Sequence, residues 1–226
     1  MSWLIARPAP EAEPLAERLR GLGYAAQAYP AIQIEPLSID HRVIMELDQF
    51  DILIVVSKAA ARRLIDEVDE YWPQLPIDQT CIAVGPGTAH ILSDYGFAPQ
   101  VPTQHDSEGV LALCAQARRI LLAAGLGGRQ AIEQGLADRS VTRLALYQRT
   151  PVALPPGPEH GVLERAWVTS VDIAQQVAQW SLPGLRAWVP SQRVADQARA
   201  FGLTVERVLP SASDQALITA LEKESV

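Results

Sequence analysis

The sequence predicts an α/β protein built from two similar halves, each a parallel sheet with helices on both faces. Three observations carry this. Short strand-like runs alternate with helical stripes along the whole chain. Phe50–Val56, the most strand-like run, is continuously apolar, as a parallel strand covered on both faces must be. The pattern is also written twice. Leu4 to Tyr29 spans 25 positions, as does Leu122 to Tyr147, and Gly96, Ser107 and Leu111 are matched by Gly202, Ser213 and Leu217, each 106 positions on. A period so long with so few copies is not a solenoid.

Taken in order, Trp3–Ala6 is a strand closed by Arg7-Pro8. Leu15, Leu19 and Leu22 follow at helical spacing, with Glu11 and Glu13 near the start and Gly21 and Gly23 as the stop. Tyr24–Tyr29 returns as a strand. The stretch from Pro30 to Pro36, alternating and bracketed by prolines, reads as an extended linker. Phe50–Val56 leads to Ser57, well placed to cap the helix striped by Ala61, Leu64, Ile65 and Val68. Cys81–Val84 is a buried strand feeding the turn Gly85-Pro86-Gly87-Thr88 and a helix that stops at Gly96. Ala98–Pro102 is a strand, and Ser107 begins a helix carried by Val110, Leu111 and Cys114.

From Ile120–Ala123 the pattern restarts, with a glycine-rich turn at 125–129, a helix with Ile132 and Leu136, and a strand at Val141–Tyr147. The proline-rich stretch 151–158 is a second linker. Ala166–Thr169 then leads through Ser170 into a helix with Ile173, Val177 and Trp180. Arg186–Val189 leads through Pro190-Ser191-Gln192-Arg193 into a helix ending at Gly202. Leu203–Val208 precedes Ser213 and a last helix with Leu217 and Leu221.

Composition narrows the function classes. A net charge of −7 argues against nucleic acid, whose phosphates require a basic surface. The apolar runs fall far short of the ~20 residues of a membrane span. Residues 1–7 lack a basic stretch ahead of their apolar run, so no signal peptide is expected. Cys81 and Cys114 lie in apolar segments without CxxC spacing and are expected as buried free thiols in a reducing cytoplasm. No exposed apolar stripe suggests a dimer, so a monomer is expected.

The unusual residues fall just past strands: Arg7, Ser57, Lys58, Gly85, Pro86, Gly87, Thr88, Gly128, Arg129, Tyr147, Ser170, Ser191 and Arg193. Ligands of open α/β sheets bind at the carboxyl ends of the strands, and a cleft between two lobes would collect all of these. A dinucleotide is excluded. The glycine-rich turns carry His90 and Gln130 where the fingerprint needs a third glycine, and Tyr147 stands where an acidic residue would close the unit. No GxxxxGK[ST] or Gly-x-Ser-x-Gly motif occurs, and His41, His90, His105 and His160 are isolated from one another. Hydroxyls, helix starts and a few cations in an acidic chain suit a ligand with several carboxylates.

The same residues carry a family resemblance. LIARP (4–8), FDILIVVSKAA (50–60), AVGPGTA (83–89), SEGVL (107–111), GLGGR (125–129), LYQR (146–149), TS (169–170), PSQRVA (190–195) and SDQAL (213–217) stand in the order and spacing of the uroporphyrinogen-III synthases, which the chain resembles over essentially its full length. The resemblance implies an enzyme without a cofactor that closes linear hydroxymethylbilane into uroporphyrinogen III, inverting the last pyrrole ring with loss of water, on the route to heme and other tetrapyrroles. It implies two lobes, each a parallel five-stranded sheet in flavodoxin-like order. One lobe is residues 1–34 with 154–226 and the other 38–148, with crossing linkers at 35–37 and 149–153. Transient contact with the preceding enzyme of the pathway would fit a monomer in the cytoplasm. The C-terminal half departs from the pattern. Pro190-Ser191-Gln192-Arg193 stands where the first half has Gly85-Pro86-Gly87-Thr88, so no threonine matches Thr88 there.

Loss of the hydroxyl needs a proton donor, and Tyr147, a phenol at a strand end, is the candidate acid. A phenol is a weak acid, and no acid–base pair occurs in the motifs, so folding the substrate for ring closure is expected to supply most of the effect. Ser57, Thr88 and Ser170 would offer hydroxyls to substrate carboxylates, and Arg7, Lys58, Arg129 and Arg193 their charges. A non-catalytic two-lobed ligand-binding or sensor module on the same scaffold is the alternative, since a fold alone does not fix a function.

Overall fold

The computed structural model describes residues 2–75, 79–104, 106–114, 117–127, 130–153 and 163–224. In chain order the elements are β1 (Ser2–Ile5), α1 (Ala12–Gly21), β2 (Ala25–Ala28), β3 (Ile32–Pro36), α2 (His41–Met45), a 3-10 turn (Leu47–Gln49), β4 (Ile52–Val55) and α3 (Lys58–Tyr71). They continue with β5 (Thr80–Ala83), α4 (Pro86–Tyr95), β6 (Pro99–Gln100), α5 (Ser107–Leu113), β7 (Arg119–Gly125), α6 (Ala131–Gly135) and β8 (Ser140–Pro151). The last are β9 (Arg165–Trp167), α7 (Val171–Gln179), β10 (Arg186–Val189), α8 (Gln192–Ala200), β11 (Thr204–Val208) and α9 (Asp214–Glu222). The chain divides into two compact units. Unit 1 is Met1–Ile34 with Thr150–Val226, and unit 2 is Glu35–Arg149.

Unit 1 is a five-stranded sheet in the order β11-β10-β9-β1-β2, parallel throughout. Numbered within the unit this is 2-1-3-4-5, the flavodoxin-like order. Strand alternation divides its core. Leu4, Ala166, Val168, Ala187 and Val189 face α7 and α8 through Ile173, Val177 and Val194. Trp3, Ile5, Trp167 and Trp188 face α1 and α9 through Leu15, Leu19, Leu217 and Leu221. Helices therefore cover both faces, and the central strands β1, β9 and β10 are buried almost throughout, whereas the edge strand β11 alternates.

Unit 2 departs from expectation in strand number and order. Its sheet has six strands, β3-β8-β7-β4-β5-β6. Without β3 the order within the unit is 3-2-1-4-5, because β6 pairs at the outer side of β5 and β7 pairs directly with β4. The sixth strand is part of the segment expected as a linker. Leu37 donates its N–H to the Leu146 carbonyl at 3.0 Å, and Val152 to that of Ala31 at 2.9 Å. Positions rise on one strand as they fall on the other, so β3 and β8 run antiparallel. Both crossings between the units lie within these two strands. The strand expected to end at Tyr147 therefore continues to Pro151. The proline-rich stretch 154–158 lies outside the described residues.

In unit 2, Ile52, Ile54, Ile82, Ile120 and Leu122 pack with Val110, Cys114, Ile132 and Leu136 on the face of α5 and α6. Leu53, Val55, Leu121, Ala60, Leu64 and Leu92 are also fully buried. Ser57 caps α3 by accepting from the Ala60 N–H at 3.1 Å. Gly85 caps α4, Pro86 opens it, and Gly96, at φ 121°, ends it in a conformation open to glycine. The strand expected at Ala98–Pro102 shrinks to two residues, while α5 begins at Ser107 as expected, with Asp106 as its cap.

Candidate functional site

Because β4 to β8 are parallel, the ends of β4 and β7, the start of α5 and Tyr147 meet at one edge of the unit 2 sheet. A cavity of about 320 Å³ opens there, lined among others by Val56, Ser57, Asp106, Gly125, Arg143, Tyr147 and Arg149. That is the small end of the range for small-ligand pockets, ~300–1,000 Å³.

Tyr147 is its central polar group. The residue is 2% exposed, and its phenol oxygen lies 3.0 Å from the Ser57 hydroxyl. Arg149 donates to the same oxygen at 3.5 Å, and its guanidinium stands 5.9 Å from the ring centre. Arg143 is held by Glu133 at 2.7 Å and donates to the Gly125 carbonyl at 2.7 Å. Asp106 accepts from the Gly109 N–H at 2.9 Å while also lining the cavity. The arrangement offers a hydroxyl pair for proton transfer, with cations beside it for substrate carboxylates.

Lys58 and Gly85 to Thr88 lie on the same sheet edge but not on this cavity. Lys58 opens α3, and its stem crosses Gly87 in the first turn of α4. Thr88 is buried within that turn, its N–H donating to the Gly85 carbonyl at 3.0 Å. Gly128 and Arg129 lie outside the described residues.

In unit 1, Arg7, Ser170, Ser191 and Arg193 all follow strands of the parallel sheet. Ser170 and Ser191 cap α7 and α8, accepting from Ile173 at 3.3 Å and Val194 at 3.4 Å. Arg193 is exposed in the first turn of α8. The Arg7 guanidinium is ion-paired with Asp214 of α9.

Asp106, Gly125, Arg143 and Arg149 also line the cavity, and the strand-end reading of the sequence does not single them out. Arg143 and Arg149 lie on β8, and nothing in their spacing marks them. The motif GLGGR did contain Gly125, and LYQR contained Arg149.

The sequence matches the Uroporphyrinogen-III synthase HemD family over residues 13–219. The chain belongs to the uroporphyrinogen-III synthase family. It is 31% identical to the uroporphyrinogen-III synthase of Escherichia coli K12, over 98% of this chain and all of that protein. Identity to the Salmonella typhimurium uroporphyrinogen-III synthase is 30%, over the same shares. Among solved structures, a mutant uroporphyrinogen III synthase from the extremely thermophilic bacterium Thermus thermophilus aligns with a TM-score of 0.68 at 17% identity, covering 99% of this chain and 98% of that one. The uroporphyrinogen-III synthetase of Helicobacter pylori aligns at 0.63 and 16%, over 98% and 99%. At such identities the structures speak for the fold alone, and they extend the synthase fold to both units. Among the described residues of this synthase-family chain, no helix is long and apolar enough to cross a membrane. No group of three His, Cys, Asp or Glu side chains is placed to share a metal ion among them.

Proposed function

We propose that this chain converts hydroxymethylbilane to uroporphyrinogen III, closing the ring with inversion of the terminal pyrrole and loss of water. Membership of the synthase family over nearly the whole sequence is the observation that carries the reaction. The Tyr147–Ser57 hydroxyl pair in the unit 2 cavity supports where its first step occurs.

In this reading Tyr147 donates its proton to the hydroxymethyl oxygen. The carbon–oxygen bond breaks, its electron pair leaves with the water, and the pyrrole nitrogen lone pair stabilises the cationic carbon that remains. Arg149 beside the phenol oxygen favours the charge left on it. Ring closure is then an attack within one molecule, the pyrrole carbon that forms the new bond loses its proton to the phenolate and so restores Tyr147, and holding the substrate folded is the larger part of catalysis.

The substrate bears carboxylates on every ring. Lys58 and the backbone of Gly85, Pro86, Gly87 and Thr88 serve them in unit 2, and Ser170, Ser191 and Arg193 serve them in unit 1. Arg7 serves them only with the N–H groups that Asp214 leaves. The two compact units are taken as the two domains. The same reading includes a monomer in the cytoplasm with a linear tetrapyrrole as its ligand.

The test is incubation with freshly prepared hydroxymethylbilane, followed by oxidation and chromatographic separation of the isomers. Isomer III in excess over isomer I is expected. Isomer I alone, at the rate of a protein-free control, refutes the reading.

A further inference from the structure

β7 and β8 pair in parallel with one irregularity. Ala124 stands opposite Ala145, but Gly125 stands opposite Tyr147, so Leu146 is an extra residue in β8. Such a bulge bends the strand and re-aims the side chains beyond it. Two observations show what it does here. The extra residue puts Tyr147 rather than Leu146 opposite Gly125, and Tyr147 is 2% exposed there. The bulge is also satisfied on both sides. The Leu146 carbonyl accepts from Leu37 at 3.0 Å, and the Tyr147 carbonyl from Leu126 at 2.7 Å.

The redirected ring lands where a side chain of residue 125 would be. A Cβ on Gly125 would lie 2.7 Å from Tyr147 Cζ, 2.8 Å from Cε2 and 3.0 Å from the phenol oxygen. The contact is with the rigid ring at its hydroxyl end, so no flexible group can yield. The positive-φ glycines among the described residues do not include Gly125, so its backbone does not itself demand glycine. What demands glycine is the tyrosine. At the far end, the phenol oxygen is fixed by Ser57, whose own hydroxyl is anchored at the start of α3 by Ala60. Arg143 fixes the Gly125 carbonyl in turn.

We infer that Gly125 and Ser57 are positioning residues for Tyr147. With the Leu146 bulge, they turn its phenol into the cavity and hold it there. This rests on the reading of Tyr147 as the proton donor. Neither Gly125 nor Ser57 need touch the substrate to act in this way.

The experiment is a double-mutant cycle on kcat, with wild-type formation of isomer III as its control. Gly125→Ala is expected to lower kcat by the factor that Tyr147→Phe does, on the order of 10–100-fold, with KM within about two-fold. In the Tyr147→Phe background, Gly125→Ala is expected to add no loss, because the displaced hydroxyl is already gone. Wild-type kcat in Gly125→Ala, or losses that multiply in the double variant, overturns the inference. Should Gly125→Ala fail to fold, the Ser57 series decides. Ser57→Ala lowers kcat and Ser57→Thr restores it if the hydroxyl positions Tyr147, whereas wild-type kcat in Ser57→Ala overturns the inference. A wild-type protein that forms no isomer III defeats the functional reading instead, so the two failures are distinct.

Discussion

The stem of Lys58 lies across Gly87 so closely that a methyl group there would stand 2.6 Å from its Cε and 3.5 Å from its Nζ. The glycine thus leaves room for an ammonium group at the start of α4, where Gly85 supplies no side-chain cap. Backbone N–H groups and a cation at one place suit a substrate carboxylate.

Gly87→Ala is therefore expected to move the lysine rather than unfold the helix. The displaced atoms are the end of a flexible chain, and alanine favours a helix over glycine by about 1 kcal/mol. The thermal midpoint should hold or rise slightly. KM should rise roughly five-fold, equivalent to ~1 kcal/mol, with kcat unchanged. Lys58→Ala should give the same rise and leave Gly87→Ala nothing to add. Wild-type KM in both variants would remove Lys58 from the site.

Acid should destabilise both units. In unit 1, burial acts to raise the Glu206 carboxyl, but hydrogen bonds from Trp188 and Arg165, with the charges of Arg165 and Arg186, hold it below its ordinary value. In unit 2, the N–H groups of Arg119 and Arg118, at 2.9 and 2.7 Å, hold Asp51 low against its desolvation. A carboxyl depressed on folding contributes stability that is present above its unfolded pKa and lost as pH falls through its folded value. Denaturant midpoints measured from pH 7 downward should fall below about pH 4. Glu206→Gln should be less stable at pH 7, because it loses the pair with Arg165 at 2.8 Å, and should show a shallower acid limb. An acid limb as steep as wild type would refute the role of Glu206.

The thiols should be silent in the native protein. Burial pushes Cys81 up to about 12 and also raises Cys114, against the opposing charge of Arg139. The thiolate is the nucleophile, and both residues are buried, so an aromatic disulfide reagent at pH 8 should label neither. Both should react in denaturant. Rapid labelling without denaturant would contradict the burial.

What the sequence revealed about this fold was whatever depends on neighbours in the chain. The apolar run of β4, the cap at Ser57 and the stop at Gly96 are local signals, and each is found where it was expected. The pairing of β3 with β8 was not legible, because it is decided by a partner more than 100 residues away. Two prolines bracketing Ile32 and Ile34 look the same in a linker and in an outer strand. The site divided in the same way. Tyr147 and Ser57 were visible as strand-end residues, but neither their 3.0 Å contact nor the bulge in β8 leaves a mark in the sequence. Arg7 was visible too, whereas its pairing with Asp214, 207 positions away, was not.

Tyr147→Phe tests how far catalysis depends on one group. The variant keeps the ring packed beside Gly125 and loses the hydroxyl that meets Ser57. If the phenol is the proton donor, kcat falls by on the order of 10–100-fold while KM changes little, since the proton moves only in the transition state. The product should remain mainly isomer III. Which isomer forms depends on how the bound chain is folded when the cation appears, and that is a matter of proximity rather than of acid strength. A variant that binds the substrate and yields only isomer I would show that the hydroxyl also directs the inversion. Residual isomer III would assign that choice to the binding groups around it.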